Sequence, residues 1–253
     1  MTRYCLPALF PFLRLMNHEL FFYPFFLVLS SLCLLYGEKK GKATTFYEPV
    51  CSKIEGWTIE WDPELAHSKD GFFHEIEKAL ANHFQRIKFL LPEDKVKELQ
   101  TLIIRVDRKH ELSNMQYHPS KGWLIQKGYD PSLEKKVHIP RAENLLKRST
   151  WQKHPYVILH ELAHSYHDQI LNFNHKEIIS AYQRAEKNKL YEKVLLFRGG
   201  TTSHYARTNH KEFFAEMTES YVGVNDFYPF VRAELKEHDP ETFALMEKIW
   251  GKF

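Results

Sequence analysis

The chain has 253 residues, of which 43% are hydrophobic and 26% are charged. This composition is typical of a globular protein with a buried core, and it excludes a largely disordered chain. The net charge at pH 7 is only +3, with Lys and Arg interleaved among Asp and Glu, so no nucleic-acid partner is expected. Of the three cysteines only Cys51 follows residue 37, which excludes a zinc site built from cysteines in the rest of the chain.

Residues 1–37 differ from the rest of the sequence. A basic start is followed by an apolar run from Leu20 to Tyr36, after which the chain becomes charged at once. This pattern predicts a signal peptide or a membrane anchor, with residues 20–36 as the membrane tether if the segment stays uncleaved. Met16 is an alternative start. Residues 38–50 are predicted to be a linker and 51–253 a catalytic domain, which we expect to be secreted or extracytoplasmic.

The first half of this domain is predicted to mix strands and helices. Alternating apolar and polar residues from Gly56 to Trp61 predict a short strand. Apolar residues at steps of three and four predict an amphipathic helix over Phe72–Leu91, and the apolar segment Leu99–Val106 predicts a buried strand. Residues 112–140 contain Gly and Pro breaks and predict loops with short edge strands, one of them at Gly122-Trp123-Leu124-Ile125. We therefore expect a small α/β lobe.

The second half is predicted to be helical. One helix is expected from Pro155, which suits a first helical position, to about Leu171. Others are expected over Ile178–Phe197 and Lys211–Val222, the latter ended by Gly223. One or two short helices should follow from Pro229 to the end. The fold class predicted for the whole domain is therefore α+β.

The first of these helices contains the sequence His160-Glu161-Leu162-Ala163-His164. Histidines four residues apart face the same side of a helix, so both imidazoles can bind one Zn²⁺ ion. Glu161 would lie beside a water molecule whose pKa zinc lowers, and could accept its proton during attack on a carbonyl carbon. Apart from Glu161 and the histidines, no charged residue occurs from Val157 to Tyr166, which favours a helix buried beneath a cleft.

A catalytic zinc takes three protein ligands and keeps one position open, so a third ligand is required. Glu177 and Glu212 are the candidates. Glu212 is favoured because it shares an apolar helix face with Glu216, and buried carboxylates need partners. On this interpretation Glu212 binds zinc and Glu216 orients a zinc-binding histidine. Glu219 is expected to be the more exposed acid.

The histidine motif, Tyr205 and the run Glu212-Phe213-Phe214-Ala215-Glu216 together resemble the anthrax lethal factor-like metallopeptidases. That group of gluzincins includes the secreted bacterial Pro-Pro endopeptidases. The resemblance implies a zincin-like fold with the zinc cleft beside the helical lobe. In that group a tyrosine lies seven residues before the third ligand, as Tyr205 lies before Glu212. The resemblance thus implies that the Tyr205 hydroxyl stabilises the oxyanion formed during hydrolysis.

These features predict a zinc metallopeptidase that hydrolyses peptide bonds in a protein or peptide substrate. An edge strand between Leu112 and His138 is expected to hold the substrate in an extended form. Two alternatives remain open, a non-catalytic binding module with the same fold and a structural zinc protein. A structural site usually has four protein ligands, of which only three are found here. The sequence makes no prediction about the oligomeric state or the substrate.

Overall fold

The computed structural model describes residues 46–252. A five-stranded sheet occupies the first half of this region, in the order β1-β2-β3-β5-β4. The central strands β2, β3 and β5 run parallel, whereas β1 and β4 are antiparallel edge strands. The strands of this sheet are β1 (Val50–Ile54), β2 (Trp57–Trp61), β3 (Ile104–Val106), β4 (Gln116–Tyr117) and β5 (Val137–Ile139).

Ten helices accompany the strands in the described region, together with a small hairpin formed by β6 (Val194–Leu195) and β7 (Thr201–Thr202). The helices are α1 (Pro63–Ala66), α2 (Phe72–Leu90), α3 (Glu93–Leu99), α4 (Lys121–Lys127), α5 (Arg148–Lys153), α6 (Val157–Tyr166), α7 (Lys176–Lys187), α8 (His210–Val222), α9 (Arg232–His238) and α10 (Pro240–Trp250). The prediction of an α+β fold, with an α/β first half and a helical second half, is confirmed.

The long helix α2 packs on the sheet through its apolar stripe. Trp57 stacks on Phe84 with ring centroids 4.5 Å apart, and Trp61 meets Phe73 edge-on at 4.8 Å. Aromatic pairs of this kind add to the stability gained by burying their area. The predicted strand at Gly56–Trp61 and the predicted helix at Phe72–Leu91 are therefore both confirmed.

The predicted edge strand at Gly122-Trp123-Leu124-Ile125 is wrong, because these residues belong to α4. The hydroxyl of Ser120 accepts a hydrogen bond from the Trp123 amide and caps the start of the helix. Gly128, with a φ of 75°, ends it in the left-handed conformation that glycine adopts most readily. Within the predicted Leu112–His138 range the edge strand is instead β4, which contacts α6.

Two further predicted elements are shorter in the structure. Of the predicted strand Leu99–Val106, only β3 is extended, because Leu99 is the last residue of α3 and a turn follows. The predicted helix Ile178–Phe197 ends at Lys187, since Lys189 takes a positive φ of 57° and the chain then forms β6. By contrast, α8 matches its predicted span closely.

The helical half is organised around α8, whose residues from Phe213 to Val222 are all buried. Helix α6 packs along one side of it, and Trp250 of α10 stacks on Phe214 at 5.9 Å. Helix α6 continues into a wider turn over His167–Leu171, so the predicted end near Leu171 is confirmed. The α6–α8 pair is thus held in the core, where side chains have little freedom to move.

The predicted signal or anchor segment, residues 1–37, lies outside the described residues. Within the described part of the chain, no helix has both the length and the apolar character needed to cross a membrane.

Candidate metal centre

A cleft of about 870 Å³ opens beside β4 and is lined by residues of α6 and α8. Its lining includes all six residues singled out from the sequence. They are His160, Glu161, His164, Tyr205, Glu212 and Glu216. The structure therefore brings together side chains that are more than fifty residues apart in the sequence.

The two histidines and Glu212 converge on one point. His160 and His164 are one turn apart on α6, and their Nε2 atoms are 3.2 Å from each other. Oε2 of Glu212 lies 3.1 Å from Nε2 of His164 and 3.5 Å from Nε2 of His160. Glu177, the other candidate, pairs instead with Lys248 at 2.6 Å on the surface.

The cap of α8 places Glu212. The side-chain oxygen of Asn209 accepts hydrogen bonds from the amides of Lys211 and Glu212, at 2.9 and 3.0 Å. This cap stabilises the first turn of α8. Glu212 lies in that turn and faces α6.

The spacing of these three atoms suits zinc. A tetrahedral zinc with bonds of about 2.0–2.1 Å separates its ligand atoms by roughly 3.4 Å. The distances of 3.1, 3.2 and 3.5 Å among His160, His164 and Glu212 agree with that value. Two imidazole nitrogens and one carboxylate oxygen also form a donor set of the kind found at catalytic zinc sites. The residues present thus fit the metal that the sequence predicts.

The charges at this point also favour a cation. Burial lowers the pKa of His160, but its hydrogen bond with Glu212 and the charges of Glu219 and Glu216 outweigh burial and raise the pKa to about 10. Burial raises the pKa of Glu212, yet its hydrogen bonds with His160 and His164 outweigh this and hold it well below its usual range. The cluster is therefore most stable with positive charge between these side chains.

Two acids approach the other nitrogen of His160. Its Nδ1 lies 3.7 Å from Oε1 of Glu216 and 3.6 Å from Oε1 of Glu219. Glu216 is held by Asn225, whose side-chain amide donates to Oε2 at 2.9 Å. An acid on the far nitrogen of a metal-binding histidine fixes the orientation of the ring. The placement of Glu216 suits the orienting role expected from the sequence.

The expectation that Glu219 is the more exposed acid is wrong, since only 1% of its surface is accessible. Glu212, Glu216 and Glu219 are spaced four and then three residues apart, which puts all three on one face of a helix. That face points at α6 rather than at solvent.

Sequence reasoning also missed Asp226 and His154. Asp226 is buried, its carboxylate accepts no hydrogen bond from another residue, and its Oδ1 lies 3.5 Å from Nδ1 of His154. The ligand atoms of His154, Glu219 and Asp226 lie within 4.8 Å of one another. The only signal in the sequence was the polar pair Asn225-Asp226 between Val224 and Phe227, just beyond the end of α8.

Glu161 and Tyr205 face the same cleft. Glu161 is buried on α6, one residue beyond His160. Tyr205 begins a short helical turn before α8 and is half-exposed. Burial, followed by the negative charges of Glu212 and Glu216, raises the pKa of Tyr205. Its hydroxyl therefore keeps its proton at neutral pH and can donate a hydrogen bond.

The neighbouring histidines do not join the cluster. His204 caps the turn that begins at Tyr205, where its Nδ1 accepts a hydrogen bond from the Ala206 amide. His210 lies 2.9 Å from the carbonyl oxygen of Phe173 through its Nε2, and His167 is buried among aromatic rings. None of the three belongs to the group of side chains that converges with Glu212.

No protein-family model matches the sequence, and no curated protein matches it. Among solved structures, the Pro-Pro endopeptidase from Paenibacillus alvei is similar, with a TM-score of 0.40 and 16% sequence identity over 76% of this chain and 95% of that chain.

Proposed function

We propose that the protein is a zinc-dependent peptidase that cleaves internal peptide bonds of a protein or peptide substrate. The observation that carries this proposal is the convergence of His160, His164 and Glu212 in a cleft that also contains Glu161. These three side chains would hold zinc, and a catalytic zinc with three protein ligands would accept water or substrate as a fourth ligand.

When bound, zinc acts as a Lewis acid that lowers the pKa of a water molecule and polarises a carbonyl oxygen. Glu161 accepts a proton from this water molecule while the water oxygen forms a bond to the scissile carbon. Glu161 then passes this proton to the amide nitrogen as the C–N bond breaks, so the products are a carboxylic acid and an amine. Glu161 is buried in the same cleft but is not one of the three converging side chains, so it would be free to carry the proton in both steps.

Tyr205 stabilises the negative charge that forms on the carbonyl oxygen during attack. Its hydroxyl stays protonated at neutral pH because burial and nearby acids raise its pKa. A donor aimed at a developing oxyanion contributes mainly in the transition state. Edge strand β4 offers free backbone groups beside α6, and an extended substrate can pair with them.

The two alternatives are less well supported. A structural zinc site would need a fourth protein ligand, whereas the position beside His160, His164 and Glu212 opens into the cleft. A binding module without activity would have no use for Glu161 beside the zinc ligands.

The proposed location of the enzyme is outside the cytoplasm. This part of the proposal rests on residues 1–37, whose basic start and apolar run are typical of a signal peptide or anchor.

The test compares the wild-type protein with Glu161→Gln and with the control Glu177→Gln, which makes the same change at an exposed residue of α7. Metal content is measured by mass spectrometry, and cleavage by incubation with a mixed peptide library. We expect one zinc per chain in all three proteins, and cleavage by the wild type and the control only. Equal cleavage by Glu161→Gln would refute the role of Glu161, and absence of zinc from all three would refute the metal site.

A further inference from the structure

The cleft is not uniform in charge. The acids that line it in the described structure are Glu161, Glu212, Glu216 and Glu219, and all of them lie at the metal centre. Its basic residues lie elsewhere along the wall, at Arg141, Lys147, Lys153 and Lys211. Negative charge is thus concentrated at the candidate metal centre, and positive charge lines other parts of the cleft.

Three of these cations come from one stretch of chain, residues 141–153. This stretch contains four basic residues and a single acid, Glu143. Lys147 pairs with Glu143 at 3.0 Å, so their charges cancel locally. The side chain of Arg141 donates a hydrogen bond to the carbonyl oxygen of Leu112 at 3.3 Å, which holds it beside the chain leading to β4.

The remaining cations interact with acids of the described residues only at longer range. Lys153 acts on buried Asp226, and Arg141 acts on Glu143, which is already paired with Lys147. Within the described residues, Arg141, Lys153 and Lys211 form no ion pair shorter than the 4.0 Å limit for such contacts. Lys211 instead lies 4.0 Å from the ring centre of Phe173. It follows the histidine motif in the sequence, whereas residues 141–153 precede it. Cations that line a cleft without a close acidic partner attract a ligand of opposite charge.

Several neutral residues of the cleft also carry hydrogen-bonding side chains. Ser113, Asn114, Asn144 and Thr150 line the same cleft. A carboxylate group here would meet amide and hydroxyl groups together with the positive charges, and Glu143 beside Arg141 in the sequence is already paired with Lys147. Charge-assisted hydrogen bonds of this kind are about twice as strong as neutral ones.

We infer that the cleft binds peptides through a substrate carboxylate, which lies against Arg141 and Lys153. This inference rests on the proposed peptidase function and adds a substrate class to it, namely acidic peptides. The carboxylate can come from an Asp or Glu side chain or from the C-terminus of the peptide. Both sources offer the same planar, two-oxygen group to the arginine.

The experiment uses four matched pools of short fluorescent peptides. Two pools contain Asp and Glu, and two contain Asn and Gln at the same positions. One pool of each kind has a free C-terminus and the other an amidated one. Cleavage is measured with the wild-type protein, and binding is measured separately by fluorescence anisotropy with the zinc-loaded Glu161→Gln variant, so that affinity is obtained without turnover.

The protein variants are Arg141→Gln, Lys153→Gln and the double variant, with Lys187→Gln as control because Lys187 lies at the end of α7 and does not line the cleft. Lys211 is left unchanged because it precedes the ligand Glu212. We expect acidic pools to bind more tightly than neutral ones, and each substitution to reduce that preference by about two- to fivefold. Raised salt should reduce it further, since exposed charges are screened.

Each outcome has a distinct meaning. A preference that depends on Asp and Glu would show that the cations bind an acidic side chain of the peptide. A preference that is lost on amidation would show that they bind the C-terminal carboxylate of the peptide. Cleavage without any charge preference would overturn the inference and leave the peptidase intact. A preference in binding without cleavage of any pool would overturn the peptidase and leave the carboxylate site standing.

Discussion

Replacing Asp226 with Asn is expected to stabilise the metal-free protein at neutral pH. Burial raises the pKa of this carboxyl to about 6, and the positive charge of Lys153 only partly offsets burial. The other titratable groups facing it are His154 from the loop after α5, Glu216 and Glu219 from α8, and His160 from α6. Asn keeps the shape of the side chain, carries no charge, and offers an amide donor to the unpaired oxygen of Glu219.

The magnitude follows from the shift in pKa from 3.8 to about 6. Two units correspond to about 3 kcal/mol of folding free energy, which the ionised wild-type carboxyl costs the native state. Because the folded pKa lies above the unfolded one, this cost is absent at low pH and grows as the pH rises from about 4 to about 6. The variant should therefore gain about 3 kcal/mol at pH 7.5 and roughly half of that at pH 5.

The measurement is urea unfolding in the presence of a chelator at these two pH values, because bound zinc would add positive charge near Asp226. The control is Asp107→Asn, a second buried aspartate. Burial raises the pKa of Asp107, but its hydrogen bonds with His138 and Tyr47 outweigh burial and lower the pKa. The control should therefore lose stability at pH 7.5. An Asp226→Asn variant that is no more stable than the wild type, or whose gain is the same at both pH values, would refute the reasoning.

Three further predictions concern the metal centre and its supporting helix. Glu212→Ala should lower zinc from one ion per chain to a small fraction in the mass-spectrometric assay. Full zinc occupancy in this variant would show that another residue is the third ligand. Tyr205→Phe should keep zinc but lower kcat by about 10²-fold, as loss of an oxyanion donor does; an unchanged kcat in steady-state cleavage assays would exclude this role. Asn209→Ala removes the cap of α8 and should cost about 1 kcal/mol, or about 3 °C in Tm by calorimetry, and an unchanged Tm would show that the cap is dispensable.

The convergence of His160, His164 and Glu212 could be predicted from the sequence because it depends on local helix patterns. His160 and His164 lie one turn apart on any helix, and an apolar frame around Glu212 and Glu216 indicated a buried face. The same rule would have placed Glu219 on that face, seven residues after Glu212, so its predicted exposure was an error of reasoning rather than a lack of signal.

Other features depend on contacts that the sequence does not reveal. The apolar residues Trp123, Leu124 and Ile125 are consistent with either a strand or a turn of helix. In the structure they form a helix, whose ends are capped by Ser120 and Gly128. The first strand, β1, was missed: only Val50 lies in the predicted linker, and the short sequence Cys51-Ser52-Lys53-Ile54 does not show the apolar alternation of a buried strand. The burial of Asp226 and the gathering of cations around Arg141 arise only when distant segments pack together.

Helix α8 holds His160 from both sides, with Glu212 close to one ring nitrogen and Glu216 and Glu219 close to the other. Much of the wall of the cleft, in contrast, comes from residues 113–119, which include β4, and from residues 141–153, all of which precede α6 in the chain. On the proposed function, reactivity and selectivity therefore come from separate parts of the sequence. In a directed-evolution experiment, libraries confined to residues 113–119 and 141–153 should yield new cleavage preferences while most members still bind zinc. Libraries in α8 should mainly yield proteins without metal.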